Sequence, residues 1–251
     1  MLPQSPAVIL MHLAAARLGA ILVPLFVLFG PDALAYRLSD SGARLIVTDA
    51  ENIKKLDEIA DRLPDLTAIW CVEATPPAAS HLRSFWDDIK QQAPTQMMRN
   101  DSLADEPAIM IYTSGTTGNP KGVELSHDNI DFELAEVWKL QEFERGWGYV
   151  SWLPCAHVFG QLVDCHAHIR WGLHMTVVDA PLNVIDYAKE VQPHLFIGVP
   201  RIYEKVYSNL VAKLGGKIKL AKVPLLGGII KKKAKEAIGM SNCVYAITGA
   251  A

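Results

Sequence analysis

The residues best suited to chemistry stand together in one stretch, Tyr112–Gly122, which reads YTSGTTGNPKG. Its glycines permit close backbone approach and unusual dihedral angles, while its hydroxyl groups and Lys121 donate hydrogen bonds. The glycines are Gly115, Gly118 and Gly122, and the hydroxyl-bearing residues are Thr113, Ser114, Thr116 and Thr117. Successive backbone amides beside hydroxyls and an ammonium group favour polyphosphate. The stretch therefore predicts a phosphate-binding loop at the end of a strand, where open α/β sheets bind ligands.

Two other interpretations of this loop are weaker. A Walker A motif needs a Gly-Lys-Ser/Thr ending, whereas Lys121 follows Pro120 and precedes Gly122. A flexible surface turn would use Gly and Pro, but it has little need for a run of hydroxyls together with a lysine. The pattern thus favours phosphate binding of another type.

A second group of reactive side chains tests the idea of a metal site. Its members crowd into a short segment and are Cys155, His157, Cys165, His166, His168 and His174. These are zinc-ligand types, but Cys165 and His166 are adjacent and no Cys-x2-Cys or His-x3-His pair occurs. The spacing argues against zinc, so we predict no metal ligands, with a metal-stabilised binding domain as the minor alternative.

The elements that must position the loop alternate between short β-branched runs and longer helical patterns. Strands are predicted near Ala20–Val23 and at Leu45–Thr48, Thr67–Val72, Ala108–Tyr112, Tyr149–Leu153, His174–Val178, Leu195–Val199 and Val244–Thr248. Helices are predicted at Pro6–Gly19, Pro31–Ser41, Asn52–Leu63, Phe85–Gln92, His127–Phe143, His157–Trp171, Asn183–Val191 and Arg201–Leu214. This alternation predicts an α/β fold with layered, mostly parallel sheets flanked by helices.

Composition limits the classes of function. A chain of 251 residues that is 50% hydrophobic can bury a large core, as one domain or as two fused subdomains. A formal charge of −3 gives no general reason to expect nucleic-acid binding. Four scattered cysteines do not make a disulfide framework, which predicts a reducing compartment and a cytoplasmic location.

Two segments raise the question of membranes. Leu10–Gly30 is apolar, but Arg17 and Pro24 interrupt it, so we expect a buried helix followed by a buried strand. Lys213–Lys235 carries eight lysines and no acidic residue. A solvated pair of surface helices is the simpler interpretation of this segment, and peripheral contact with an anionic membrane or an acyl-CoA is the alternative.

The stretch Tyr112–Gly122 resembles the AMP-binding signature of the adenylate-forming superfamily, which includes acyl-CoA synthetases, luciferases and peptide-synthetase adenylation domains. Further segments resemble this family in the same order: SWLPCAHVFGQ at Ser151–Gln161, IGVPRIYEKV at Ile197–Val206, and TGAA at Thr248–Ala251. The second of these is similar to long-chain fatty acyl-CoA ligases. Phe29–Asp49 is more similar to short- and medium-chain synthetases, which leaves the acyl length open.

The resemblance implies ATP-dependent activation of a carboxylic acid, with Mg²⁺ carried by ATP and CoA as co-substrate. It implies that Lys121 and Thr117 are catalytic, and that the β and γ phosphates contact Thr113, Ser114, Gly115, Thr116, Thr117, Gly118 and Lys121. It also implies that His157 lies near the acyl and CoA passage, and that Gly249 and Ala250 line the adenylate pocket. Without the family pattern, His157 would be interpreted as a hydrogen-bonded residue at a helix start. Pro200 and Arg201 are expected only to begin a helix.

The family pattern continues beyond these motifs with a Glu that helps to hold magnesium, an Asp for the ribose, a hinge, and a C-terminal domain with a catalytic Lys. The resemblance therefore implies that residues 1–251 form an incomplete N-terminal AMP-binding domain, with approximate subdomains 1–105 and 106–251. Three hypotheses follow: an inactive fragment of a carboxylate–CoA ligase, a non-catalytic nucleotide-binding module, or the metal-stabilised domain. Another adenylate-forming enzyme that acts on a different carboxylate is also consistent with the motifs.

Overall fold

A computed structural model describes the chain over residues 1–73, 82–93, 103–113, 118–215 and 224–249. The chain divides into two compact units. The first unit is Met1–Val137 with Pro154–Val158, and the second unit is Trp138–Leu153 with Phe159–Ala251. The subdomain boundary predicted at residues 105 and 106 stays a prediction.

The first unit opens with helix α1, Pro6–Leu18. Ser5 precedes it with extended backbone angles, and Pro6 occupies the first turn, where its missing N–H costs nothing. Gly19 ends the helix in the left-handed region at a φ of 65°, a conformation that glycine adopts without strain. The predicted helix and both of its ends are confirmed.

The strand predicted near Ala20–Val23 is wrong. Leu22 forms one isolated parallel bridge with Ile109, in which Leu22 N donates to Ala108 O at 3.0 Å and Met110 N donates to Leu22 O at 2.9 Å. Pro24 follows two residues later and has no N–H to continue a ladder, so the pairing stops.

Across the described residues, no helix is long and apolar enough to cross a membrane.

A three-stranded parallel sheet in the order β1-β2-β3 forms the next part of the first unit. Its strands are β1 Leu45–Thr48, β2 Ala68–Cys71 and β3 Leu82–Ser84, and its helices are α2 Pro31–Asp40, α3 Ala50–Asp57 and α4 Phe85–Gln91. The buried side chains between them include Leu34, Ile46, Leu56, Ile59 and Ile69. Asp49 accepts a hydrogen bond from Asn52 N at 2.8 Å, which caps α3. A 3₁₀ turn at Ala60–Arg62 replaces the last turn of the predicted helix Asn52–Leu63.

The remainder of the first unit is an antiparallel hairpin followed by a helix. Strand β4, Pro107–Thr113, pairs with β5, Lys121–Ser126. Helix α5 then runs over His127–Leu140, and its residues from Trp138 onward belong to the second unit. Ser126 Oγ accepts from Asn129 N, and Asn129 Oδ1 accepts from Ser126 N, both at 3.1 Å. This reciprocal pair caps the start of α5 in the manner of a capping box.

The second unit contains a four-stranded parallel sheet in the order β7-β6-β8-β9. Its strands are β6 Gly148–Ser151, β7 His174–Val177, β8 Leu195–Gly198 and β9 Tyr245–Thr248. Its helices are α6 Val158–Gln161, whose first residue belongs to the first unit, α7 His168–Trp171, α8 Val184–Val191, α9 Pro200–Leu214 and α10 Pro224–Ala237. One π-helical segment, Leu162–Ala167, joins α6 to α7. The α/β fold with mostly parallel sheets is thus confirmed, with the β4–β5 hairpin as an antiparallel addition.

The strand order assigns the helices of the second unit to two faces of the sheet. The connection from β6 to β7 moves in one direction across the sheet, and the connections from β7 to β8 and from β8 to β9 move in the other. Because such crossovers are right-handed, opposite directions place their helices on opposite faces. The segment α6–α7 therefore covers one face, and α8 to α10 belong to the other.

We expect His12 to make the first unit less stable in mild acid. Burial lowers the pKa of His12 from 6.5 to about 4, against the raising effect of its hydrogen bond to Val8 O at 2.8 Å. Between pH 6.5 and about pH 4, His12 binds a proton in the unfolded chain but not in the folded chain. The stability that neutral His12 contributes above pH 6.5 is therefore lost as the pH falls. The free energy of unfolding should drop by about 2 kcal/mol between about pH 7.5 and about pH 5 through this residue alone.

Urea denaturation of the wild type and of His12→Gln at both pH values measures this contribution. The variant starts from a different stability, but it should lose about 2 kcal/mol less than the wild type over the same interval. Equal losses in the two proteins would show that His12 is not the residue responsible.

Candidate functional site

The predicted phosphate loop is the tip of the β4–β5 hairpin. Tyr112 pairs with Gly122, and Thr113 pairs with Lys121 on the last rung of the ladder. Cross-strand partners project on the same side of a ladder, so the Thr113 hydroxyl and the exposed Lys121 side chain stand beside each other where the loop begins and ends. Ser114, Gly115, Thr116 and Thr117 lie outside the described residues.

This position differs from the one that the strand pattern predicts. The sequence predicts the loop at the end of the strand Ala108–Tyr112 in an open sheet, with Val123–Leu125 leading into a helix from His127. The structure instead returns the chain along β5, and α5 starts only after Ser126. The hairpin fixes the two ends of the loop against each other by backbone hydrogen bonds, so their separation is set by the ladder and not by side-chain packing.

Gly122 lies close to two side chains of the neighbouring strand β4. A Cβ at Gly122 would lie 2.8 Å from Met110 Sδ and 3.4 Å from Tyr112 Cζ. A larger residue would therefore displace the end of the Met110 side chain, while the Tyr112 ring would lie at ordinary van der Waals distance. Close approach was predicted for this glycine, and its partners in the structure are side chains of β4. Gly118 instead has a φ of 153° and open space around its Cα.

Helix α2 supports both ends of the loop. The Tyr36 hydroxyl donates to Pro120 O at 3.0 Å, and the Tyr112 hydroxyl donates to Asp40 Oδ2 at 2.7 Å. Tyr36 and Asp40 are one turn apart on the helix, which places them on the same side. The two tyrosine rings also meet edge to face, with centroids 6.3 Å apart. Helix α2 thus holds Tyr112 near the end of β4 and Pro120 just before Lys121.

The buried side chain of Arg37, also on α2, packs beside Tyr112. The Arg37 guanidinium is 4.1 Å from the centroid of Phe29 and 5.6 Å from that of Tyr112, and its Nη1 donates to Ala33 O at 2.8 Å. Burial lowers the pKa of Arg37, although an arginine so placed keeps its charge at neutral pH. Burial and then the bond to Asp40 raise the pKa of Tyr112, so its hydroxyl remains a donor.

His157 belongs to the first unit and Gly249 to the second. His157 is exposed in the first unit, just before α6, and its backbone N–H donates to the backbone carbonyl of Pro154 at 3.0 Å. Gly249 follows β9 in the second unit, where a Cβ would lie 3.4 Å from Cζ of the Phe159 ring. Ala250 lies outside the described residues. The roles assigned to these residues stay predictions.

Several residues of the site were missed by the sequence reasoning. Phe159 stands within the segment Ser151–Gln161, whose resemblance to the family could have marked it as a candidate. Its contact with Gly249 depends on the fold. Tyr36, Arg37 and Asp40 offered no local signal, because they contact the hairpin from far away in the sequence.

The Cys and His segment does not form a metal centre in the part of the chain that the structure describes. No group of three or more His, Cys, Asp or Glu side chains there could hold a metal ion. Cys155 and Cys165 are buried free thiols, and burial lowers the pKa of His168. The π-helical segment Leu162–Ala167 takes up this region instead, and such segments are frequent near functional sites.

Similarity to solved structures identifies the fold. The adenylation domain of a carboxylate reductase from Mycobacterium chelonae covers 100% of this chain with a TM-score of 0.79 at 20% identity, and the chain covers 42% of it. The N-terminal domain of FACL13 from Mycobacterium tuberculosis covers 100% with a TM-score of 0.76 at 21% identity, and the chain covers 56% of it. The fold is that of the N-terminal domain of adenylate-forming enzymes.

The chain belongs to the AMP-binding enzyme family, whose sequence profile matches residues 1–238. The resemblance stated from the motifs is thereby confirmed. Among curated proteins, the long-chain-fatty-acid–CoA ligase ACSBG1 of Rattus norvegicus is 31% identical over 215 residues, which cover 76% of this chain and 29% of the ligase. The ligase ACSBG2 of Gallus gallus is 27% identical over 291 aligned residues, covering 99% of this chain and 38% of the ligase. The chain thus spans well under half the length of these relatives.

Proposed function

We propose that this chain is the ATP-binding part of an enzyme that joins a fatty acid to CoA through an acyl-adenylate. The observation that carries the proposal is the hairpin tip, where Thr113 and Lys121 face each other at the ends of a glycine- and threonine-rich loop. Family membership and the fatty-acid ligases among the relatives support the same chemistry.

In the proposed reaction, the substrate carboxylate attacks the α-phosphate of ATP in line, and pyrophosphate leaves. The carboxylate is already a nucleophile, so no general base is required. The demand on the protein is to position the triphosphate and to neutralise the charge that develops on the departing pyrophosphate. Lys121, the loop hydroxyls of Thr113 and Thr117, and the backbone amides would meet this demand. The thiol of CoA then attacks the acyl carbonyl, and AMP is released.

Mg²⁺ enters this scheme as part of the ATP substrate. In such a complex the phosphate oxygens of ATP would supply much of the coordination of the metal. His157 would line the passage for the acyl group and CoA, and Gly249 with Ala250 the wall of the adenylate pocket. The distal end of the Phe159 ring lies against Gly249, which gives this wall an aromatic component.

Pyrophosphate release in the presence of ATP and fatty acids of graded length tests the proposal. It is measured on this chain and on the complete gene product, with CoA added and omitted. Release that depends on a fatty acid supports the ligase, and the preferred length then defines the substrate. Tight ATP binding with no release in either protein would replace the ligase with a non-catalytic nucleotide-binding module.

We further propose that the Lys-rich segment Lys213–Lys235 contacts anionic membranes from the cytoplasm. Helix α10 presents exposed Lys231, Lys232, Lys233 and Lys235, with the exposed Ile229 one turn earlier. Four free cysteines fit a reducing compartment such as the cytoplasm. A basic helix with adjacent apolar residues is a surface that acidic lipid head groups attract.

We expect the double substitution Lys232→Gln with Lys233→Gln to reduce binding to phosphatidylserine-containing vesicles. Each lysine near such a surface contributes about 1 kcal/mol, so the partition coefficient should fall roughly 30-fold. Lys54→Gln with Lys90→Gln removes the same charge from exposed positions on α3 and α4 and is the control. Vesicle co-sedimentation at low and high salt gives the measurement. Equal binding by both double variants, or binding that ignores salt, would contradict the proposal.

A further inference from the structure

A groove of about 410 Å³ opens within the second unit between α8 and α9. Its apolar lining includes Trp152, Ile185, Ile202, Val206, Leu210 and Ile238. This volume lies in the range of roughly 300 to 1,000 Å³ that is typical of small-molecule sites. Leu182 also borders the groove and is 81% exposed, so it extends the apolar surface at the groove's edge.

The groove lies on the opposite face of the sheet from the predicted adenylate wall. Its lining comes from α8, α9, the turn before α8 and the end of α10, together with Trp152 and Val199. Phe159 lies in α6, within the helical segment α6–α7 that covers the other face according to the direction of the crossovers. A ligand in the groove would therefore be separate from the acyl group under activation.

The charges at the groove are mainly positive. Lys189 donates to Asp186 Oδ1 at 2.7 Å, so these two lining residues neutralise each other. Arg201 and Lys205 stand four residues apart and therefore on one side of α9, and both line the groove. Both are exposed, and within the described part of the chain neither has a recorded ion pair. The groove thus combines an apolar wall with two cations available to a ligand.

We propose that this groove binds a fatty acid as a second, non-reacting ligand. Its hydrocarbon chain lies along Trp152, Val206 and Leu210, and its carboxylate pairs with Arg201 and Lys205. An apolar wall with a cationic edge matches a ligand with an apolar tail and an anionic head, since the tail gains from burial and the head from charge-assisted hydrogen bonds. The same site would allow free fatty acid to influence the protein without passing through the reaction.

Binding of dodecanoate by the purified protein, measured by isothermal titration, tests this proposal. Dodecyltrimethylammonium has the same tail with the opposite charge, and acetate has the head without the tail. We expect dodecanoate to bind at least about tenfold more tightly than either. The double substitution Arg201→Gln with Lys205→Gln should weaken dodecanoate about tenfold and leave dodecyltrimethylammonium unchanged or tighter. Lys232→Gln with Lys233→Gln removes equal charge from α10, outside the groove lining, and should bind as the wild type does.

The location of the ligand is tested with a diazirine-bearing dodecanoate analogue and mapping of the cross-linked peptides. We expect labelling of Val184–Val191 and Pro200–Leu214, and its retention in Lys121→Ala. Labelling confined to the HVFG segment, or unchanged affinity in Arg201→Gln with Lys205→Gln, would overturn the proposal. Failure of the ligase proposal would leave these results as they are, because neither measurement uses ATP.

Discussion

Replacing Lys121 with alanine is expected to lower kcat/KM for fatty-acid-dependent pyrophosphate release by about 10²- to 10³-fold in the complete gene product. Lys121 is the charged residue of the hairpin tip, and it stands across the last rung from Thr113. Its ammonium would interact most strongly with the pyrophosphate as that group leaves and gains charge. An interaction that strengthens in the transition state lowers kcat as well as kcat/KM when it is lost.

Two matched variants make the Lys121 experiment specific. Lys121→Arg keeps the charge but changes its shape and reach, so it should recover part of the lost rate. Lys90→Ala removes another exposed lysine of the first unit, whose recorded partner Asp87 is 3.9 Å away, and should be as active as the wild type. Pyrophosphate release with saturating and limiting ATP separates kcat from KM. An unchanged rate in Lys121→Ala would remove the basis for assigning the loop to phosphate.

Much of the fold was predictable because its signals are local. The buried strands β1 and β8 are short apolar runs between helical patterns, and such runs indicate parallel strands covered on both sides. Ser5, Pro6 and Gly19 mark the ends of α1 by residue type alone. The predicted α8, α9 and β9 also lie within one residue of the observed elements.

The hairpin was not predictable by the same means. Strand β5 reads as a short lead into α5, since Gly122 and Glu124 weaken the strand pattern and the first residues of β5 are exposed. Its pairing with β4 is settled by long-range register across the loop, which no local pattern encodes. The same reason applies to the support from α2: Tyr36, Asp40 and the hairpin meet through the fold, and tyrosine or aspartate on a helix surface is common.

The chemistry of the site was predictable from residue types, but its arrangement was not. Glycine, threonine and lysine in close sequence define a phosphate-binding composition wherever the chain folds. Knowledge that Thr113 faces Lys121 requires the register, and knowledge that Phe159 lies against Gly249 requires the position of α6. Neither contact follows from spacing, since each joins residues from different elements.

We expect Gly239→Ala to be the most destabilising small substitution in the second unit. Gly239 follows α10 with a φ of 74°, its N–H donates to Glu236 O at 3.2 Å, and Met240 N donates to Lys235 O at 2.8 Å. These bonds form a Schellman motif, in which the residue after the helix must be left-handed. A Cβ at this position would also overlap the backbone of Ala188 and Lys189 in α8. The free energy of unfolding should fall by more than about 4 kcal/mol, or the protein should be recovered insoluble.

Gly146→Ala separates the two causes of this loss. Gly146 has a φ of 85° but nothing within 4 Å of a Cβ, so alanine there carries the conformational cost of about 1 to 2 kcal/mol without the overlap. Urea denaturation of both variants, with the soluble fraction after expression, gives the comparison. If the overlap with α8 dominates, Gly239→Ala loses much more than Gly146→Ala; equal losses would mean that α8 yields and that backbone conformation alone matters. Since Ile238 and Lys189 both line the groove beside Gly239, the same contact also sets the spacing of α8 and α10 at its end.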